Sequence, residues 1–181
     1  PHRAKASDYQ ERLAKFHQLV ARSKFGEASK QLRGVSAKKR REQERVAWIY
    51  LSDSAAAFLQ LLEKVIADAE VKLDIESTDE EKFQSILGAR QGGLQLEGDS
   101  GEVFVPWAKI KPESVLDIYM KVCEQTLETL EGQQQTEQAI CYAWITAMKD
   151  KARQAAEKLS ALNGNFAERW ANTLRAHGQK P

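Results

Sequence analysis

The residue types able to carry out chemistry are few in this chain of 181 residues, and they stand far apart. Its two cysteines, Cys123 and Cys141, lie 18 residues apart with Gly132 at their midpoint. If Gly132 turns an antiparallel pair of helices, each cysteine sits nine residues from the bend. That is ~13 Å along a helix, so the two would lie level on neighbouring helices. A disulfide needs Cα atoms ~4.4–6.8 Å apart, less than the usual ~8–10 Å between helix axes, so bridging requires the inward faces to meet. Closing that loop would contribute ~3 kcal/mol on loop-entropy grounds and would mark an oxidising, extracytoplasmic compartment. The other reading is two buried free thiols that act as small hydrophobes, as a cytoplasmic chain would have them.

The histidines His2, His17 and His177 are scattered, and none stands at ligand spacing from a Cys, Asp or Glu. Two cysteines without a neighbouring histidine do not complete a zinc site, so no metal is expected. The sequence carries no H-E-x-x-H, no P-loop and no G-x-G-x-x-G. No cofactor and no catalytic residue are therefore assigned, and the chain is expected not to be an enzyme.

Charge is placed unevenly. Residues 1–50 hold 13 Lys+Arg and 5 Asp+Glu, a balance of +8, while residues 51–181 hold 14 and 21, a balance of −7. The basic half peaks at Lys38, Lys39, Arg40 and Arg41, a candidate basic face. Such a run can meet nucleic acid or a membrane surface. A nucleic-acid module usually adds stacking aromatics, and the next aromatic here is Trp48. The run reads equally as a solvated helix face, or as one side of an attraction between the halves. No apolar run approaches the ~18 residues of a spanning helix, so no membrane insertion is expected. The chain opens on Pro1, which fits a mature product or a piece of something longer.

The elements that would position these groups follow from periodicity. Tyr9, Leu13, Phe16, Leu19 and Val20 recur by threes and fours, giving an amphipathic helix over about 9–23. Phe25, Ala28 and Leu32 suggest a second helix ending at Gly34. A third, long segment runs from Ser36 to about Ala69, with Ser52-Asp53-Ser54 a place for a bend. Val71, Leu73 and Ile75 alternate with charged residues, as in a half-buried strand. Thr78 and Glu81 look like a capping box, predicting a short helix that buries Phe83, Ile86 and Leu87 and stops at Gly88. Leu94 and Leu96, the turn Gly98-Asp99-Ser100-Gly101 and Val103 to Val105 make a hairpin. Pro112 suits the first position of another helix. Gly132 is expected to break it, with a last long helix from about Thr136 to Leu162. Asn163-Gly164-Asn165 then turns into a closing helix through Phe166, Trp170 and Leu174.

The expected fold is mostly α within the α+β class: antiparallel helical hairpins or a bundle, with a small antiparallel β-hairpin insert. One domain over 1–181 is expected. Its parts are N-terminal helices at 8–69, a β insert with a short helix at 70–111, and a C-terminal hairpin with its closing helix at 112–176. Of the four tryptophans, Trp107 beside Pro106 is the candidate anchor that pins the insert onto the helices.

Leu13 to Leu32, with Phe16, Ala21, Phe25 and Ala28, resembles a tetratricopeptide-type helical hairpin. Ser23 stands where that family has Gly, and no tandem period of about 34 residues continues it. Phe104-Val105-Pro106-Trp107-Ala108-Lys109-Ile110-Lys111-Pro112, within about 71–120, is similar to accessory segments of planctomycete-type bacterial proteins, some attached to Ser/Thr kinases. Neither resemblance implies a catalytic residue. Gly98-Asp99-Ser100-Gly101 looks like the nucleophile segment of chymotrypsin-type proteases but lacks the Gly-Pro that follows. No histidine is placed to serve as its base, and turn chemistry accounts for the string. Together these readings point to a non-catalytic helical module that makes protein–protein contacts within a larger bacterial protein. The alternative is nucleic-acid binding through the basic N-terminal helices.

Overall fold

The computed structural model describes residues 2–67, 69–99 and 101–180, with side chains from residue 8 onward apart from 39 and 40. Among the described residues the chain forms α1 (His2–Val20), α2 (Phe25–Arg33) and α3 (Lys39–Ile66). Four strands follow, β1 (Val71–Glu76), β2 (Lys82–Arg90), β3 (Gly93–Gly98) and β4 (Gly101–Pro106). A single 3-10 turn at Trp107–Lys109 leads to α4 (Pro112–Val122), α5 (Leu130–Ile145), α6 (Lys149–Leu162) and α7 (Gly164–Ala176). The chain is mostly helical, with one antiparallel sheet. The chain divides into two compact units, residues 1–56 with 127–181, and residues 57–126.

The first unit is all helix. Tyr9, Phe16, Ala28, Leu32 and Val35 form a buried cluster, with Leu13, Val20, Trp48 and Ile49 packed against it. Those positions are the sequence's three-and-four spacing on α1 and α2 meeting the inner face of α3. Aromatic edges tie the other helices together. Phe25 meets Tyr142 at 5.9 Å between ring centroids, and Trp144 meets Trp170 at 5.1 Å. α3 runs through Ser52 without a break, because the Ser52 hydroxyl bonds back to the Trp48 carbonyl at 2.8 Å instead of competing with the helix.

Gly132 is not a turn. It lies in the first turn of α5, and its amide donates to the side chain of the N-cap Thr129 at 3.0 Å. The chain bends over residues 123–129 instead. The expected long helix over 136–162 is also two helices. α5 ends in a Schellman motif, with the Met148 amide on the Ala143 carbonyl at 2.8 Å and Ala147 at φ 69°.

The second unit is a sheet in the order β1-β2-β3-β4, every neighbour antiparallel, backed by α4 and the end of α3. The insert is thus a four-stranded meander, in which β3 and β4 are the expected hairpin and β2 is an added strand. The predicted helix over Phe83–Leu87 is strand β2, whose Lys82, Phe83, Gln84 and Ser85 alternate between exposed and buried. Ser77, not Thr78, organises the turn before it. Its hydroxyl accepts from the amides of Asp79 and Glu81 at 3.2 and 3.1 Å. A bulge between Ile86 and Gly88 breaks the alternation and leaves the helix-like spacing that the sequence displays.

Trp107, directly after β4, is buried. Its indole nitrogen donates to Glu63 Oε1 on α3 at 2.8 Å, and the same oxygen accepts from the Gly92 amide at 2.9 Å. The Trp107 amide returns a bond to the Gly92 carbonyl at 3.0 Å. One carboxylate thus joins the last turns of α3 to the β2–β3 turn and to the end of β4.

Candidate functional site

In the first unit, α3 and α7 lie side by side and leave a groove of about 510 Å³ between them. Helical spacing on α3 brings Glu42, Val46 and Tyr50 to it, four residues apart, with Ala47 beside them. From α7 come Arg169, Asn172, Thr173 and Arg175. Ala47 and Thr173 are buried, and the Thr173 hydroxyl donates to the Arg169 carbonyl at 2.9 Å, so its donor is committed within α7. Val46 is 53% exposed, a large apolar side chain standing in the groove with no cover.

A polar network ties off one end. The Tyr50 hydroxyl donates to Glu137 Oε1 on α5 at 2.7 Å. Arg169 grips the same carboxylate with two donors, to Oε1 at 3.1 Å and Oε2 at 2.8 Å. Burial, then Cys141 and the bond to Glu137, raise the Tyr50 hydroxyl above its ordinary titration range. Cys141 lies behind Tyr50, hydrogen-bonded with Tyr50 and Ser54, and burial pushes its thiol up to about 12. A thiol so placed is not the thiolate that nucleophilic chemistry needs. Arg175 is committed as well, to Asn172 Oδ1 at 2.9 Å and the Ala171 carbonyl at 3.3 Å. Glu42 is matched by Arg45, whose hydrogen bonds hold that carboxyl below its usual range.

The unit that holds the groove is strongly basic. Residues 1–56 with 127–181 carry 20 Lys+Arg against 12 Asp+Glu, a balance of +8, and residues 57–126 carry 7 against 14, a balance of −7. The charge asymmetry of the sequence is therefore an asymmetry between the two units.

The residues singled out from the sequence fall in several places. Lys38 and Arg41 are exposed at the start of α3, with the Arg41 guanidinium 6.0 Å from the Tyr9 ring centre. The side chains of Lys39 and Arg40, and residue Ser100, lie outside what the structure describes. Cys123 and Cys141 are both free. The level pairing depended on a bend at Gly132. The bend instead begins at Cys123 itself, which caps α4 and is half-buried in the second unit, while Cys141 is buried far along α5 in the first.

Sequence reasoning missed Glu137 and Arg169. They lie 32 residues apart, and the Tyr50–Glu137 bond spans 87. The one signal available is the spacing of Val46 and Tyr50, four residues apart on one face of α3.

Among the described residues no cluster of His, Cys, Asp or Glu is arranged to hold a metal ion, and no helix is long and apolar enough to cross a membrane. No protein-family model matches the chain, and no curated protein or solved structure matches it.

Proposed function

We propose that this chain is a non-catalytic helical module that works by binding another protein, within a larger bacterial protein. The observation that carries the reading is the α3–α7 groove, where Val46 stands more than half exposed above buried Ala47. Apolar surface rimmed by polar groups is characteristic of a contact site. The reactive groups nearby support the same reading, since Tyr50, Glu137 and Arg169 satisfy one another and the Cys141 thiol is held protonated. The bacterial setting rests on the likeness of residues 104–112 to planctomycete-type accessory segments. The resemblance of Leu13 to Leu32 to a tetratricopeptide-type hairpin, over residues that fall on α1 and α2, supports the module reading.

A photo-reactive side chain at position 46, introduced into the full protein in its own cells, tests this. The expected product is a covalent adduct with one protein, and a complex that reforms from the two purified chains. No adduct, together with substrate turnover by the purified chain that Tyr50→Phe abolishes, would make it an enzyme instead.

The second reading, nucleic-acid binding, is favoured by the +8 balance of the first unit and by the exposure of Lys38 and Arg41. It requires a low-salt gel shift that Lys38→Ala with Arg41→Ala weakens and added salt abolishes. Equal mobility of variant and wild type removes it.

A further inference from the structure

We infer that the α3–α7 groove takes an acidic amphipathic helix, its apolar face against Val46 and Ala47 and its carboxylates along the arginine-bearing wall of α7. This deepens the protein-binding reading and rests on it. Shape comes first. The α3 wall from Glu42 to Tyr50 is unbroken helix, about 12 Å long at 1.5 Å per residue. Helix-in-groove recognition uses anchors at i, i+3 or i+4, and i+7, which span about the same length. Both walls are regular helix, so a third helix can lie in the furrow as helices pack elsewhere.

Charge fixes the chemistry of the partner. Arg169, Asn172 and Arg175 recur by threes along the α7 wall, and all three are exposed. The carboxylate on the opposite wall, Glu42, is matched by Arg45. The unit carries a surplus of eight positive charges, which draws in a partner bearing negative ones.

A small carboxylate ligand fits less well. Sinking one carboxylate into the groove calls for a dedicated cation. Arg169 already holds Glu137 through Nε and Nη2, and Arg175 reaches the Ala171 carbonyl and Asn172 through the same two atoms, so neither is dedicated to a ligand. Carboxylates spaced along a helix rim feel the field of the wall without displacing either arrangement.

The test uses the full chain and two fluorescent peptides of about 18 residues, long enough to reach helical form. Both carry leucines at helical spacing; one has glutamates at the flanking positions and the other lysines. The glutamate peptide is expected to bind saturably, and the lysine peptide at least about tenfold more weakly. Val46→Asp and Arg175→Glu should each weaken the glutamate peptide at least about tenfold, because each puts an anion where its apolar face or its carboxylates would sit. Val65→Asp, at a position 40% exposed in the other unit, should leave its affinity unchanged. Thermal melts of all three variants check that they fold; Arg175→Glu stands in if Val46→Asp does not.

Absence of binding, equal binding of the two peptides, or glutamate-peptide binding indifferent to both groove variants overturns the inference. So does saturable binding of dodecanoate without peptide binding. If the peptides fail while the position-46 adduct still yields a protein complex that reforms from purified chains, this partner chemistry falls and the module reading stands. If both fail, both fall.

Discussion

Ser23 and Ala147 hold left-handed backbone, at φ 54° and 69°, although neither is glycine. Each closes a Schellman motif. The Lys24 amide reaches the Leu19 carbonyl at 2.9 Å and the Met148 amide reaches the Ala143 carbonyl at 2.8 Å. The last helix ends the same way, but with Gly178 at φ 69° in the equivalent place. A Cβ in this region costs about 1 kcal/mol that glycine avoids. Ala147 is exposed, so little packing is lost with its methyl group. Ala147→Gly should therefore raise stability by about 0.5–1 kcal/mol, read as a higher melting temperature. An unchanged or lower melting temperature would show that the unfolded chain gains more freedom than the helix end gains relief. Glu137 presents the opposite case, a residue whose loss strands its partners. Glu137→Ala leaves the Tyr50 hydroxyl and the Arg169 fork without their acceptor and should cost about 1–3 kcal/mol. Tyr50→Phe removes only one donor and should cost about 1 kcal/mol. Chemical denaturation of the two variants checks the order; equal losses would mean that the Arg169–Glu137 pair contributes nothing.

Elements whose ends carry a chemical signal were legible in the sequence. Gly34 caps α2, Pro112 opens α4, and the Asn163 side chain accepts from the Phe166 amide at 3.0 Å to start α7. β1 and the β3–β4 hairpin announced themselves by alternation. Elsewhere the deciding contacts were absent from the local chain. The break after α5 falls on an alanine, which no propensity marks. Gly132 was read as a breaker, yet at the first turn of a helix its missing side chain costs little once Thr129 caps it. β2 reads as helix because Ile86 and Leu87 follow Phe83 by three and four residues, a spacing the strand accommodates with a bulge between Ile86 and Gly88. The groove was illegible for a related reason. Val46 looks like a core position until α7 is seen to leave it uncovered. The sheet has one position where residue type is dictated by crowding, Gly93. A Cβ there would strike the Val105 carbonyl oxygen and come within 2.8 Å of the Phe104 ring. Gly93→Ala should destabilise the second unit by about 1–3 kcal/mol, since backbone has to move to admit it. Gly34→Ala, where nothing stands within 4 Å of the added methyl, is the control and should change little. Matching denaturation midpoints for the two variants would show that β3 and β4 separate without strain.

Taken across the chain, the ionisable groups with displaced titration tell one story on the acid side. His177 packs against Trp48 at 4.2 Å between ring centres and its Nδ1 meets the Thr173 carbonyl at 2.9 Å, which makes Nδ1 the donor and leaves Nε2 unprotonated. Burial holds its pKa below the ordinary value; the bond to the Thr173 carbonyl and then Glu44 oppose that, and Lys149 and His17 add to it. His17, edge-to-face with Trp48 at 5.2 Å between ring centres, is lowered chiefly by burial as well. For a group whose folded pKa lies below its unfolded one, the unfolded chain takes up the proton first. The stabilisation is therefore complete above about pH 6.5 and is lost as pH falls through the folded pKa values. The carboxyls of Glu11, Glu42 and Glu76, lowered by Lys15, Arg45 and Lys111, act with the same sign at lower pH. The melting temperature should thus drop in two stages on acidification, the first beginning near pH 6.5. His177→Gln keeps a polar side chain there without a titrating ring, and should shrink the first stage while leaving the second. Indole emission should fall over the same first stage, because a protonated imidazole against Trp48 quenches it, and should fall less in the variant, where only His17 still titrates against that ring. A melting temperature flat between about pH 8 and pH 5.5 would mean that neither histidine is held neutral by the fold.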